Sequence, residues 1–480
     1  MSSLYSQRRL SSLIKDDDPT FRQDGDKRNQ FETDFDRILF SAPIRRLADK
    51  TQVFPQEIDD SVRNRLTHSH EVSNLCRSMV LQISRKCDDN PFGENADLSK
   101  VIPIITAIGL AHDVGNPPFG HKGEVAIGNW VKENIANSDF HKKSWQKLPA
   151  AMRNDLLKWE GNAQAFRLLS KLQLAKGNMG LNLTATTMAA LMKYTGPSDE
   201  TEKKKHPAKK KFGFFQDDKN VALKVLSEVG VNPGERHPLA YLMEACDDTA
   251  YSVIDIEDGI QKKLVSLNDL IFVLRQPDEK GNQDLISLSV ATRLEEKVEA
   301  MRGENRKLPE IDEIARQYFR SFAIGEFVVA ATDTYIKNKT GIIAGSFQSD
   351  LISASAAAQF CAKLKDFAFQ NIYLSRDVVA LEVNGANVLH ALMSYYWAAI
   401  ESHFSKPKED ISFFDSYVFG HISRNYRAIA RVSIEGSNKK HMLYYKLLLL
   451  TDMISGMTED FAERTLRHFK DLDPKLTKLK

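Results

Sequence analysis

Ala111–His112–Asp113–Val114–Gly115–Asn116–Pro117–Pro118–Phe119–Gly120–His121 decides how this chain is read. The apolar run Val101 to Ala111 leads into it. That run is too short to cross a bilayer and reads as a buried helix. It ends on an adjacent imidazole and carboxylate. Gly115, Pro117 and Pro118 forbid further helix, because glycine is entropically costly there and proline lacks the N–H and clashes with the preceding turn. The stiff loop then presents another histidine, His121, and an acid, Glu124. Burying a histidine beside a carboxylate costs free energy unless something pairs them, and a metal ion is one such partner. A hydrogen-bonded core histidine beside a capping aspartate is the plainer reading of the same pair.

Two further stretches bear on that choice. Arg65–Leu66–Thr67–His68–Ser69–His70–Glu71–Val72 opens an amphipathic segment that runs to Lys86, with Leu66, Val72, Leu75, Met79, Val80 and Ile83 on its apolar face. His68 and His70 point about 200° apart on a helix, so they cannot both face one metal. His68 is the ligand candidate, Arg65 shares its face one turn earlier, and His70 is a packing or surface residue. Far downstream, Met243–Glu244–Ala245–Cys246–Asp247–Asp248–Thr249–Ala250–Tyr251 belongs to a helix begun by His237–Pro238. Proline is tolerated at such a first-turn position. Asp247, Tyr251 and Asp255 recur at i, i+4 and i+8 and line one face within about 80° of arc. Acids and a phenol stacked beside Leu239, Ala240 and Leu242 do not form an ordinary solvated stripe.

The chain has 480 residues, 42% hydrophobic and 27% charged, which suits a globular protein with a large core. A net charge of +2 predicts no general attraction to nucleic acid or to a membrane surface. Cys76, Cys87, Cys246 and Cys361 have no zinc spacing and read as reduced thiols of a cytoplasmic protein. Met1 to Asp18 lack the apolar segment of a secretion signal, and no window is apolar for long enough to span a bilayer.

Residues 1–30 read as polar and poorly ordered. Phe31 to Phe54 reads as one helix, ended by Pro55. Gly123 to Asn137 begins another, and Trp159–Glu160–Gly161–Asn162–Ala163–Gln164–Ala165–Phe166 opens a further, amide-rich one. Lys203–Lys204–Lys205–His206–Pro207–Ala208–Lys209–Lys210–Lys211 reads as a solvated loop, anchored back by Phe212–Gly213–Phe214–Phe215. Leu381 to Ile400 and Met442 to Leu466 are the clearest later helices. No β alternation is sustained anywhere, so the expected fold is all-α. The expected organisation is an arm and helix over 1–60, a metal-binding helical core over 61–265, and C-terminal helices over 266–480 packed on it.

A lone histidine, a His-Asp pair and a distant aspartate form the pattern of the HD superfamily of metal-dependent phosphohydrolases. The chain resembles, more narrowly, the deoxyguanosine-triphosphate triphosphohydrolase family of bacterial HD-domain dNTPases. Asp34–Phe35–Asp36–Arg37–Ile38 with Arg45–Arg46–Leu47 and Lys50–Thr51–Gln52–Val53 is similar to that family's N-terminal signature. The Arg65–Ser69 block, the His112–Gly120 block with His121 and Glu124, Glu160–Gln164, Lys211–Phe215 and Asp247–Ser252 follow in the family's order. Asp452–Met453–Ile454–Ser455–Gly456–Met457–Thr458 resembles its closing motif, with Glu459 standing where the family has aspartate. His70 departs as well, at a position often apolar in the family.

The resemblance implies that His68, His112, Asp113 and Asp247 hold one divalent metal, with Mn, Mg and other first-row ions all compatible with imidazole plus carboxylate. It implies hydrolysis of a dNTP to deoxynucleoside and inorganic triphosphate in one step. His121 and Glu124 match its catalytic histidine and acid, and histidine is the natural proton donor near neutral pH. Gln52 and Val53 match the positions that read the sugar. Arg65 is placed to reach phosphate, and Tyr251 and Asp255 match pocket-lining residues flanked by Asp248. The family is commonly hexameric, which implies a homo-oligomer, and it brings in two effector classes, a second dNTP and single-stranded DNA. Two other readings stand beside this one: another HD nucleotidase or phosphodiesterase, and a catalytically silent nucleotide sensor.

Overall fold

The computed structural model describes residues 3–15, 27–54, 62–173, 179–201, 207–278 and 280–474. These residues form an all-α fold. The described residues contain no strand beyond two isolated bridges, Arg9 with Thr184 and Thr51 with Asn64. No helix among them is long and apolar enough to cross a membrane.

Four helices frame the centre: Arg65–Lys86, Leu98–Ala111, Gly120–Val131 and Pro238–Gln261. Three of them begin on a side-chain cap, and Gly120–Val131 starts from the left-handed Phe119 without one. The Asn64 and Asp97 side chains accept from Thr67 N–H and Lys100 N–H. His237 accepts from Leu239 N–H, ahead of Pro238. Apolar side chains segregate into two cores. The first gathers the Arg65, Leu98 and Pro238 helices with Leu308–Ile343 and Ala358–Ala368, through Cys76, Ile105, Val253, Phe327 and Phe360. The second gathers Gly120–Val131 with Arg376–Ser405, Met442–Ser455 and Glu459–Leu472, through Trp130, Tyr396, Tyr444 and Phe469. The loop after His112 crosses from one core to the other: Val114 is buried in the first and Phe119 in the second.

Several sequence expectations are amended. Phe31 to Phe54 is not one helix. Gln30–Leu39 ends at Phe40, and Ala42–Arg46 starts afresh with Pro43 in its first turn, where a missing N–H is harmless. Met442 to Leu466 likewise divides at Gly456, and Thr458 caps the helix Glu459–Leu472. Part of the N-terminal stretch is packed rather than loose: Tyr5, Leu10 and Leu13 are buried. Buried Arg9 donates to Asp34 at 2.9 Å, and Asp34 also accepts from Thr184. Lys203 to His206 lie outside the described residues, whereas Phe212, Phe214 and Phe215 are buried as the anchor requires. The four cysteines are free thiols.

A buried ion cluster ties the closing motif to the middle of the chain. Arg167 donates to both oxygens of Asp452, at 2.9 to 3.1 Å, and also to Asp217 and Asp218. Gln164 donates to Asp452 as well. Removing Arg167 would strand carboxylates in the interior. Arg167→Ala is therefore expected to cost about 3–5 kcal/mol of stability. A thermal melt reads it directly, and an unchanged midpoint would contradict this role.

Candidate metal centre and active site

Two close backbone approaches set the site. A Cβ at Gly109 would lie 2.8 Å from Ser73 Cα, so glycine there lets the Leu98 helix press against the Arg65 helix. This brings the His68 and His112 rings to 5.4 Å between centroids. A Cβ at Gly115 would lie 1.9 Å from the Gly161 carbonyl oxygen, so the loop and the start of helix Gly161–Arg167 touch backbone to backbone.

His68, His112 and Asp247 converge. Asp247 Oδ1 lies 3.4 Å from His68 Nε2 and 3.3 Å from His112 Nε2. Donor atoms of these three residues lie within 4.8 Å of one another, close enough to share one metal ion. The His112 ring is oriented by Nδ1, 2.7 Å from the Gly109 carbonyl. A carbonyl can only accept, so Nδ1 carries the proton and the Nε2 lone pair faces inward. His112 Nε2 and His68 Nδ1 are buried without hydrogen-bond partners. Burial disfavours the charged form of His112, but Asp113 and Asp247 outweigh it and raise its pKa. The pocket thus favours positive charge at the point where the ring nitrogens meet. The orphaned His112 Nε2, the Asp247 carboxylate beside it and that field fit a cation. His70 is exposed, as the helical phase requires.

Asp113 stands beside this group, its Oδ1 3.6 Å from His112 Nε2. Its oxygens receive Arg65 Nη1 at 2.5 Å and Asn116 Nδ2 at 2.6 Å. Burial opposes its charge, but Arg65 and then His112 hold its carboxyl well below the usual range. Arg65 occupies space that only glycine leaves: a Cβ at Gly120 would meet its Nη2 at 2.6 Å. Sequence reasoning missed Lys193, which is bonded to Asp247. Burial works against the charge of Lys193, yet Asp247 raises its pKa on balance.

His121 and Glu124 meet, as their spacing at a helix start suggests. His121 Nδ1 lies 2.9 Å from Glu124 Oε2. The His121 side chain is 75% exposed and that of Glu124 only 9%. Glu124 Oε1 accepts the Gly161 N–H at 2.8 Å. Burial pushes the Glu124 carboxyl up, but the bond to His121 and the charge of Lys211 hold it below its ordinary value. Lys211, read in the sequence as the end of a solvated run, bonds Glu160 at 2.8 Å and lies 3.6 Å from Glu124.

The Lys50–Val53 segment runs alongside the start of the Arg65 helix, with the Arg65 N–H donating to the Lys50 carbonyl. Gln52 Oε1 is buried and unpartnered, and Val53 is half-buried beside it. Asp255 Oδ2 accepts from Tyr373 OH at 2.5 Å, and its Oδ1 is another buried orphan. Burial pushes the Asp255 carboxyl up to about 8. Tyr251 stacks on Tyr373 with centroids 5.8 Å apart, which adds Tyr373 to the face read from sequence. Asp248 bonds Lys365 at 2.9 Å instead of joining the histidines.

No family model matches the chain. Curated proteins do. A deoxyguanosinetriphosphate triphosphohydrolase-like protein of Listeria innocua is 35% identical over 444 residues, covering 91% of this chain and 93% of its own. Its counterpart in Listeria monocytogenes is 35% identical over 442 residues, with the same coverage. The deoxyguanosinetriphosphate triphosphohydrolase of Serratia proteamaculans is 31% identical over 483 residues, covering 90% of this chain and 92% of its own. Identity of that depth, carried along nine tenths of both chains, makes this protein a member of the deoxyguanosinetriphosphate triphosphohydrolase family.

Proposed function

We propose that this protein hydrolyses deoxynucleoside triphosphates, of the dGTP type, to the deoxynucleoside and inorganic triphosphate. The observation that carries the reading is the buried meeting of His68, His112 and Asp247, with cationic side chains around it and an exposed His121 held by a buried acid. His68, His112 and Asp247, with Asp113 as fourth ligand, would hold one divalent ion, Mn, Mg or another first-row metal. Such an ion supplies Lewis acidity toward a phosphate oxygen and toward the attacking water.

The protein's own groups account for the rest. Arg65, Lys193 and Lys211 bring positive charge to a triphosphate, Arg65 through a planar fork. Glu124 fixes the His121 ring through Nδ1, leaving Nε2 to hold the proton that the leaving 5′-oxygen needs. The orphaned acceptors Gln52 Oε1 and Asp255 Oδ1 suit a sugar hydroxyl, which donates. Val53 beside Gln52 crowds a ribose 2′-OH and offers it no partner, a desolvation penalty that favours the deoxy sugar. Tyr251 provides an apolar wall with a polar tip, and Asp248 stands at its edge. A homo-oligomer, hexameric in arrangement, fits the exposed Phe369, Leu374, Val379 and Val383 around the start of helix Arg376–Ser405. A second dNTP or single-stranded DNA as effector belongs to the same reading.

Metal content separates the ligands from their neighbours. His112→Ala and Asp247→Ala are expected to lose the bound ion by elemental analysis, while His70→Ala keeps it. Full occupancy in Asp247→Ala would contradict the ligand set. His121→Ala should keep both metal and dNTP binding and lower single-turnover kcat by about 10²–10⁴-fold, the usual size of a general-acid contribution. Near-normal turnover, or loss of the ion, would remove His121 from that role. The sugar gives a third check: dGTP should turn over far faster than GTP, and equal rates would show that Gln52 and Val53 do not read the 2′ position.

A further inference from the structure

We infer that Glu459 is a positioning residue that yokes the sugar-reading segment to the helix carrying His121. One carboxylate then sets both deoxyribose discrimination and the placement of the proton donor. The inference rests on the function proposed above.

Glu459 is the first residue of helix Glu459–Leu472 and is 3% exposed. Thr458 caps that helix, accepting from Phe461 N–H, so the Glu459 side chain is not needed for capping. It reaches outward instead. Oε1 accepts the Phe119 N–H at 2.9 Å. Oε2 accepts the Thr51 N–H at 3.0 Å and the Thr51 hydroxyl at 3.3 Å. Thr51 immediately precedes Gln52 and Val53, and Phe119 lies two residues before His121. Both reading heads therefore hang from a single anion.

The Phe119 end needs such a hold. Phe119 has φ +63° and Gly120 φ +54°, two successive residues in the left-handed region. A non-glycine residue there is strained and persists only where its surroundings impose it. The Phe119 ring packs where Gly385 leaves space, since a Cβ at Gly385 would lie 2.5 Å from it. A charge-assisted bond from Glu459 fixes the amide at that turn. An acid in the first turn of its own helix also faces the favourable end of the helix dipole.

A second strap joins the same three segments with opposite polarity. Lys50, 3% exposed, donates through Nζ to the Asn116 carbonyl at 2.5 Å and to the Ser455 carbonyl at 2.9 Å. Ser455 ends helix Met442–Ser455, where carbonyls lack helical partners and favour a cation. Lys50 thus ties the N-terminal segment to the loop and to the closing motif, and Glu459 ties the closing motif back to both.

The test is Glu459→Met in the full-length, metal-loaded protein. Its thioether chain offers neither amide a carboxylate oxygen, so both bonds are broken while the volume is nearly kept. The inference predicts unchanged metal content and faster amide hydrogen exchange in the peptides carrying Thr51 and Phe119 together. It predicts that kcat for dGTP falls by about tenfold, the size of one lost charge-assisted hydrogen bond. It also predicts a narrower ratio of dGTP to GTP kcat/KM. Where Glu459→Met fails to fold, Glu459→Gln is read for kcat and for the dGTP/GTP ratio with the same signs, because its amide keeps one acceptor oxygen and turns a donor toward the other segment. An unchanged dGTP/GTP ratio in either variant, or faster exchange in only one of the two peptides of Glu459→Met, overturns the yoke. Failure of the proposed function would show in the wild-type protein as absent dGTP turnover, whereas the exchange measurement still tests the coupling of the two segments.

Discussion

Backbone contact between Gly115 and Gly161 is the constraint on which the site depends. With a Cβ 1.9 Å from a carbonyl oxygen excluded at Gly115, no other residue lets the loop sit so close to the Gly161 helix. That closeness lets the Gly161 N–H reach Glu124, which in turn orients His121. It also fixes where the loop leaves His112 and Asp113. The Leu98 helix makes a second close backbone contact through Gly109, whose carbonyl sets the His112 ring. The candidate ligand His112 and the loop that carries the candidate proton donor His121 are thus placed by close main-chain contacts, and side chains complete the orientation, Glu124 on His121 and Arg65 on Asp113. Such preorganisation suits a reaction in which groups must wait in place for a substrate.

The electrostatics have a layered form. Imidazoles and a carboxylate meet at the centre, and cations stand behind the acids: Lys193 on Asp247, Arg65 on Asp113, Lys211 near Glu124. Asp247 and Asp113 keep their charge in a buried setting because a cation lies within bonding distance, and Glu124 keeps its charge through the bond to His121 and then the charge of Lys211. In the proposed reading the same cations are the groups that would meet a triphosphate. Asp255 is the exception: burial pushes its carboxyl up to about 8, and Tyr373 is its hydrogen-bond donor. A carboxyl in that state is suited to a neutral hydroxyl rather than to a metal.

Much of this was legible in the residues. Helical phase alone separated His68 from His70, and the i, i+4, i+8 spacing grouped Asp247, Tyr251 and Asp255. Glycine and proline marked the loop, because their backbone chemistry is local. Lys193, Lys211 and Tyr373 were not legible as site residues. Lys193 and Tyr373 sit in an ordinary local context and reach the site only through tertiary packing, and Lys211, although it opens a block shared with the family, does the same. Lys211 was masked further by the lysines before it, which made it look solvated. The break at Gly456 was obscured by apolar residues on both sides, which kept the helical period running through it. Glu459 stood out only as a departure from the family motif, and its two amide partners lie more than 300 residues away along the chain.

The central claim is that this site cleaves a dNTP at the bond to the 5′-oxygen, leaving the triphosphate whole. Phosphorus NMR of the products from dGTP, with the reaction run in 18O-water, tests it most directly. The account predicts inorganic triphosphate carrying one 18O at a terminal phosphorus, with unlabelled deoxyguanosine. Release of pyrophosphate or orthophosphate, or 18O in the deoxyguanosine hydroxyl, would contradict it.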